Sequence, residues 1–197
     1  GALRKKMRGT WIYMTIASVA LAGLPPLAGF WSKDAIIETA FNEHTYILWG
    51  MLVITAGMTA FYSFRQVFLS FHGEDRHTPL GFHPHEMYKF VLVAMSPLAI
   101  LAIITGWFMG TYKAFIYQIG ESVQYEMSDH THHIAVYLGL IVIFFALSGI
   151  AYAYYKYART GENAWKRSEK VENGVLYKLL INQYYVPKIY EEVITKP

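Results

Sequence analysis

Four stretches of this chain contain no Asp, Glu, Lys or Arg: residues 9–32, 45–64, 90–112 and 134–155, which are 24, 20, 23 and 22 residues long. A helix that crosses the hydrocarbon core of a bilayer needs about 20 predominantly apolar residues. No water reaches the backbone there, so a spanning segment must satisfy its own N–H and C=O groups as a helix or in a closed barrel. Four such runs exclude a soluble domain built around one core. They predict an all-α, polytopic membrane helix bundle. Charged residues make up 16% of the chain, against about 25% in an average soluble domain. Without cysteine, a disulfide framework and a thiolate metal site are both excluded.

The basic residues set the topology. If there are four spans, residues 1–8, the loop 65–89 and the tail 156–197 share one side, and they hold 15 of the 17 Lys and Arg. Only Lys33 and Lys113 fall on the other side. Lys and Arg are enriched in cytoplasmic loops, so both ends of the chain are expected in the cytoplasm. Trp11, Trp31, Trp49, Trp107 and the tyrosines from Tyr152 to Tyr157 lie near the span ends, where interfacial aromatics concentrate. Arg65 and Lys113 read as interfacial anchors. A secretory leader is the rival reading of Arg4 to Leu24, but three later spans and a double proline argue against it. The membrane region is expected over 1–157, with spans at about 11–41, 45–71, 90–112 and 134–156. Residues 158–197 read as a polar connector and the start of an amphipathic helix. Its apolar positions are Val186, Ile189, Tyr190, Val193 and Ile194, at helical spacing, and Pro187 suits its first turn. Beginning at Gly1 without Met, the chain reads as part of a longer polypeptide.

The first span is interrupted. Gly23, Pro25, Pro26 and Gly29 lie within it, and each proline lacks an N–H and disfavours helix in the residue before it. Two half-helices joined by an extended link are expected, with helix resuming near Ser32. Broken helices at membrane depth require that the freed backbone face protein or water, and in transporters they build ion sites. Lys33 then falls at the start of the second half-helix. A lysine held there away from water can exchange its proton near neutral pH. If the span simply ends at Phe30, Lys33 and Asp34 are solvated outer-face residues; the spacing leaves both open. Asp34 points about 100° away from Lys33 on a helix. Glu38 follows four residues after Asp34 on the same face and is a candidate for an outer exit. Thr55, Thr59 and Ser63 could hydrogen-bond within the bundle. The histidines, His72, His77, His83 and His85 in one loop and His130, His132 and His133 in another, fall on opposite sides. No metal site is expected from them.

The motifs Gly-Ala-Leu-Arg-Lys-Lys-Met at 1–7 and Leu-Ala-Gly-Leu-Pro-Pro-Leu-Ala-Gly-Phe-Trp-Ser-Lys-Asp at 21–34 resemble those of the antiporter-like L-type subunits of proton-pumping NADH:quinone oxidoreductase, respiratory complex I. Phe71-His72-Gly73 with His83-Pro84-His85-Glu86 is similar to that family's histidine-bearing loop. Tyr184 to Val193 resembles the start of its long lateral helix. The chain departs from the pattern at Ala2, Trp31 and Ala35. The resemblance implies a proton-translocating subunit in which Lys33, with Asp34 beside it, is the pathway lysine of a discontinuous helix. It also implies that other pathway residues lie on earlier helices, and that other membrane subunits are partners. The membrane implied is the bacterial inner membrane. No nucleotide fingerprint is present, so no cofactor is expected in this chain. NADH, flavin, iron–sulfur clusters and quinone would sit on partner subunits, and no nucleic acid is involved. A subunit of a multisubunit cation/proton antiporter is the alternative, and a passive membrane anchor the third reading.

Overall fold

A computed structural model describes residues 1–73, 75, 81, 83–108, 130–159 and 174–192, with side chains from Val136 onward in the third of the long segments that follow the break. The chain divides into two compact units, Gly1–Ala164 and Trp165–Pro197. Among the described residues there is no strand.

In the first unit, α1 (Arg8–Ala22) and α2 (Ala28–Asn42) are the halves of the interrupted span. α3 is Tyr46–Phe71. α4 (Lys89–Ile104) is prolonged by a 3₁₀ turn, Thr105–Phe108. α5 (His130–Ala153) runs into a π-helical turn, Tyr154–Arg159. Three helices are long and apolar enough to cross a membrane: Tyr46–Phe71, Lys89–Phe108 and Val136–Arg159. α1 and α2 have 15 residues each, about 22 Å apiece, so neither crosses alone. Together they do. Ala22 packs with Ala60, Phe64 and Phe68 in the C-terminal half of α3, while Ile37 packs with Val53 and Ala56 in its N-terminal half. The two halves therefore run the length of α3, antiparallel to it.

α5 runs parallel to α3. Val142 meets Val53, Phe145 and Gly149 meet Gly57, and Tyr152 meets Phe61. The seam is made of small residues. A Cβ at Gly57 would lie 3.1 Å from the Phe145 carbonyl, and one at Gly149 would collide with the Gly57 carbonyl. Ala56, Ala60, Ala146 and Ala153 are buried beside them. In a bilayer, apolar surface alone does not drive helix association, and small residues that let backbones approach are what packs them. Large apolar side chains face outward accordingly, with Ile47 81%, Phe90 73% and Trp107 74% exposed.

The basic groups gather at one end of the bundle. Arg4 lies 4.2 Å from the Trp11 ring, Arg65 5.5 Å from Tyr157, and Lys156 5.7 Å from the same ring. Trp11 in turn meets His72 edge-on at the end of α3. His72 is depressed below the usual histidine range by burial first, then by Arg4, against a bond to the Val67 backbone that raises it.

Two sequence readings change here. Helix resumes at Ala28 rather than Ser32. Proline restricts itself and the residue before it, not those after, so only Leu27 separates Pro26 from the new helix. Thr55 and Thr59 do not reach across the bundle. Each hydroxyl donates to its own helix, to Met51 O and Thr55 O, at 2.7 Å. The buried Ser63 hydroxyl has no hydrogen-bond partner among the described residues. Lys113, His77, Val193, Ile194 and most of the connector lie outside the described residues, as do the side chains of His130, His132 and His133.

In the second unit, α6 is Val175–Ile181 and α7 is Val186–Tyr190 with Pro187 in its first turn. Lys188 and Glu192, four residues apart and both exposed, lie 3.9 Å from each other.

Candidate functional site

The break is built from local rules. α1 closes on Gly23 at φ 74°, a left-handed conformation that glycine adopts without a Cβ penalty. The Gly23 N–H donates to Ala20 O at 3.1 Å and the Leu24 N–H to Val19 O at 3.3 Å, the paired bonds of a Schellman closure. That closure leaves the Leu21 carbonyl without a main-chain partner. Leu24 O then accepts from Leu27 N–H at 3.1 Å, turning the chain through Pro25-Pro26. Gly29 lies directly against the Ala20 carbonyl, where a Cβ would collide. The start of α2 thus overlaps the last turn of α1.

This overlap carries Lys33 back over the end of α1. Its Nζ donates to Leu21 O at 3.1 Å. Its aliphatic stem lies over Gly23, 3.1 Å from where a Cβ would stand. An ammonium at a helix C-terminus meets the negative end of the macrodipole and one of its unpaired carbonyls. Lys33 also lines an open groove of about 350 Å³ where α1, α2 and α3 meet, whose other polar groups are Ser32, Thr55 and Thr59. With their protons committed to main-chain carbonyls, the two threonine oxygens keep lone pairs free to accept.

Asp34 diverges from Lys33. Its carboxylate faces α5, 3.3 Å from a Cβ placed at Gly139, as the helical rotation requires. Glu38 is half-buried one turn further along α2. Gly23, Pro25, Pro26, Gly29 and Lys33 form one site; Asp34 and Glu38 sit beside it rather than in it. Among the described residues no group of three or more His, Asp or Glu could hold a metal ion.

Sequence reasoning missed two partners. Leu21 acts through its carbonyl; the signal was a glycine-closed helix with leftover acceptors. Glu86 caps α1: its carboxylate accepts from Gly9 N–H at 2.6 Å, Thr10 N–H at 3.3 Å and Thr10 Oγ1 at 2.6 Å. Partial burial pushes its carboxyl up. The Thr10 hydroxyl, then the N–H groups of Gly9, Met87 and Thr10, outweigh this and hold it below the usual carboxylate range.

A family model described as NADH:quinone oxidoreductase/Mrp antiporter, TM, matches residues 1–59, the segment that contains the break and Lys33. Over nearly the whole chain there are relatives as well. Subunit L of the NADH-quinone oxidoreductase of Campylobacter jejuni is 37% identical over 98% of this chain and 30% of its own length. The chain belongs to the antiporter-like membrane family of NADH:quinone oxidoreductase and Mrp antiporters. NAD(P)H-quinone oxidoreductase chain 5 of Picosynechococcus is 34% identical over 98% of the chain and 32% of its own length. Subunit L of Rickettsia bellii is 31% identical over 100% and 32%. This antiporter-like chain thus spans about a third of the length of the curated relatives it matches, and it is an integral membrane protein.

Proposed function

We propose that the chain is the part of a proton-translocating membrane subunit of an NADH:quinone oxidoreductase in which Lys33 relays the proton across a broken helix. The observation that carries this reading is Lys33 held on the Leu21 carbonyl at the break, where it lines a groove that also offers hydroxyl oxygens. The groove has room for on the order of ten waters at about 30 Å³ each. Lys33 gives its proton to a water there, and the neutral amine accepts the next. Lysine suits the task because, unlike arginine, it can release its proton in a desolvated setting. Asp34, on the α5 side of α2, contributes a negative field that favours reprotonation. Glu38 stands one turn further toward the outer end as a candidate exit.

The partners are other membrane subunits of the complex and the surrounding lipid. NADH, flavin, iron–sulfur clusters and quinone belong to partner subunits, and redox chemistry is absent from this chain. The location is the bacterial inner membrane with both ends cytoplasmic, and the basic end of the bundle supports the cytoplasmic side for that end. A multisubunit cation/proton antiporter is the second reading, because the family description covers both systems. The names of the relatives favour the oxidoreductase.

Affinity capture of the full-length subunit from solubilised membranes tests this choice. NADH-oxidising, quinone-reducing activity should come down with it. A captured complex that lacks this activity but drives sodium/proton antiport in vesicles would replace the first reading with the second.

A further inference from the structure

α4 buries none of its residues. It runs beside the broken helix in the same direction, with the Leu92 side chain against Gly9. Its polar ties to that helix lie at its two ends. Just before it, the Glu86 carboxylate takes the first N–H groups of α1, with Oε2 on Gly9 and Oε1 on Thr10. Oε1 also accepts from the Thr10 hydroxyl and from the Glu86–Met87 amide at 3.1 Å. α1 has no cap of its own, since the residue at that position is Met7. Beyond the other end of α4, Gly106 lies under the Trp31 indole, with the Pro26 carbonyl 3.0 Å from where a Cβ would stand. The Trp31 Nε1 donates to that same carbonyl at 3.4 Å.

One strut therefore holds the start of α1 at its base and the link with the start of α2 at its top. Between these ties α1 is a rod about 22 Å long whose far end presents Leu21 O to Lys33. Negative charge at its N-terminus and positive charge at its C-terminus both match its dipole.

We propose that Glu86 is a positioning residue for Lys33: by fixing α1 along its axis against α4, it fixes the carbonyl on which the Lys33 ammonium rests. The N–H groups that Glu86 takes sit at the end of the bundle, where water can replace the carboxylate. Removing the carboxylate therefore changes the placement of α1 without opening the core. This inference rests on the reading of Lys33 as the relay.

The test uses the assembled complex in vesicles, measuring NADH oxidation rate and protons moved per electron pair. Glu86→Ala should oxidise NADH near the parental rate but lose at least half of the pumping that Lys33→Ala loses. Glu86→Gln keeps an acceptor for Thr10 and the Met87 amide and should fall between Glu86→Ala and the parent. Thr10→Val should show a smaller loss of the same kind. Glu86→Ala added to Lys33→Ala should lower the ratio no further. A parental ratio in Glu86→Ala overturns the proposal. So does a parallel fall of oxidation and complex yield, which would mark a purely structural cap. If Lys33→Ala itself pumps normally, the relay reading fails instead, whatever Glu86 does.

Discussion

Lys33 Nζ donates to the main-chain carbonyl of Leu21, twelve residues back along the chain, at 3.1 Å. The bond joins the two halves of one membrane crossing through a side chain rather than through continuous helix. It exists because Gly23 closes α1 early and because Gly29 lets α2 begin against the Ala20 backbone.

The glycines of the break should not tolerate alanine equally. At Gly29 the added methyl meets the Ala20 carbonyl, which is backbone and cannot swing aside. Gly29→Ala should lower the yield of assembled complex several-fold on native gels. Gly23→Ala meets only the flexible Lys33 stem, but must hold φ 74°, at a cost of about 1 kcal/mol. It should assemble and show impaired coupling.

The α3–α5 seam gives a second contrast. Gly149→Val drives a branched side chain into the Gly57 carbonyl; overpacking of this kind costs about 1–3 kcal/mol. Gly50 has nothing within 4 Å of a Cβ, and Ala is the better helix former by about 1 kcal/mol. Thermal denaturation of the purified complex should show Gly149→Val melting lower and Gly50→Ala at or above the parent. Equal behaviour would contradict the seam.

The parts of this architecture that follow local rules were legible in the sequence. The charge-free runs located the helices, and Pro25-Pro26 located the break, because proline acts on its own residue and the one before it. The restart at Ala28 was misplaced for the same reason, since nothing in the residues after Pro26 forbids helix. Lys33 was legible as a candidate, but its partner was not. A backbone carbonyl has no sequence signature, and reaching Leu21 depends on how the link folds. Glu86 is 76 residues from Thr10, beyond any periodicity. Only the missing cap at Met7 hinted that α1 must be capped from elsewhere.

Acid should release Glu86. Its carboxyl is held below its ordinary value of 4.5 by the Thr10 and backbone donors. A depressed carboxylate adds stability that is present above its unfolded value and is lost as pH falls through its folded value. The α1 cap should be intact at neutral pH and should weaken only below about 4.5. Amide exchange at Gly9 and Thr10, corrected for intrinsic rates, should stay constant in the parent down to about pH 4.5 and rise only as the pH is taken further down, and should stay flat throughout in Glu86→Gln.

Sidedness can be read with single cysteines, because the chain has none of its own. Glu43 closes α2 and His85 precedes α4, at opposite ends of the bundle. A membrane-impermeant thiol reagent should label His85→Cys only from the cytoplasmic side and Glu43→Cys only from the outer side. Labelling of both from one face would remove α3, the helix between them, as a crossing.

The most direct measurement is the number of protons moved per electron pair by the reconstituted complex carrying Lys33→Ala or Lys33→Arg. Both variants should assemble and keep oxidising NADH. Lys33→Ala should lower the ratio because the relay group is gone. Lys33→Arg should restore little, since arginine keeps the charge but does not release its proton. A parental ratio in assembled Lys33→Ala would show that the proton passes elsewhere and that the bond to Leu21 serves only to join two half-helices.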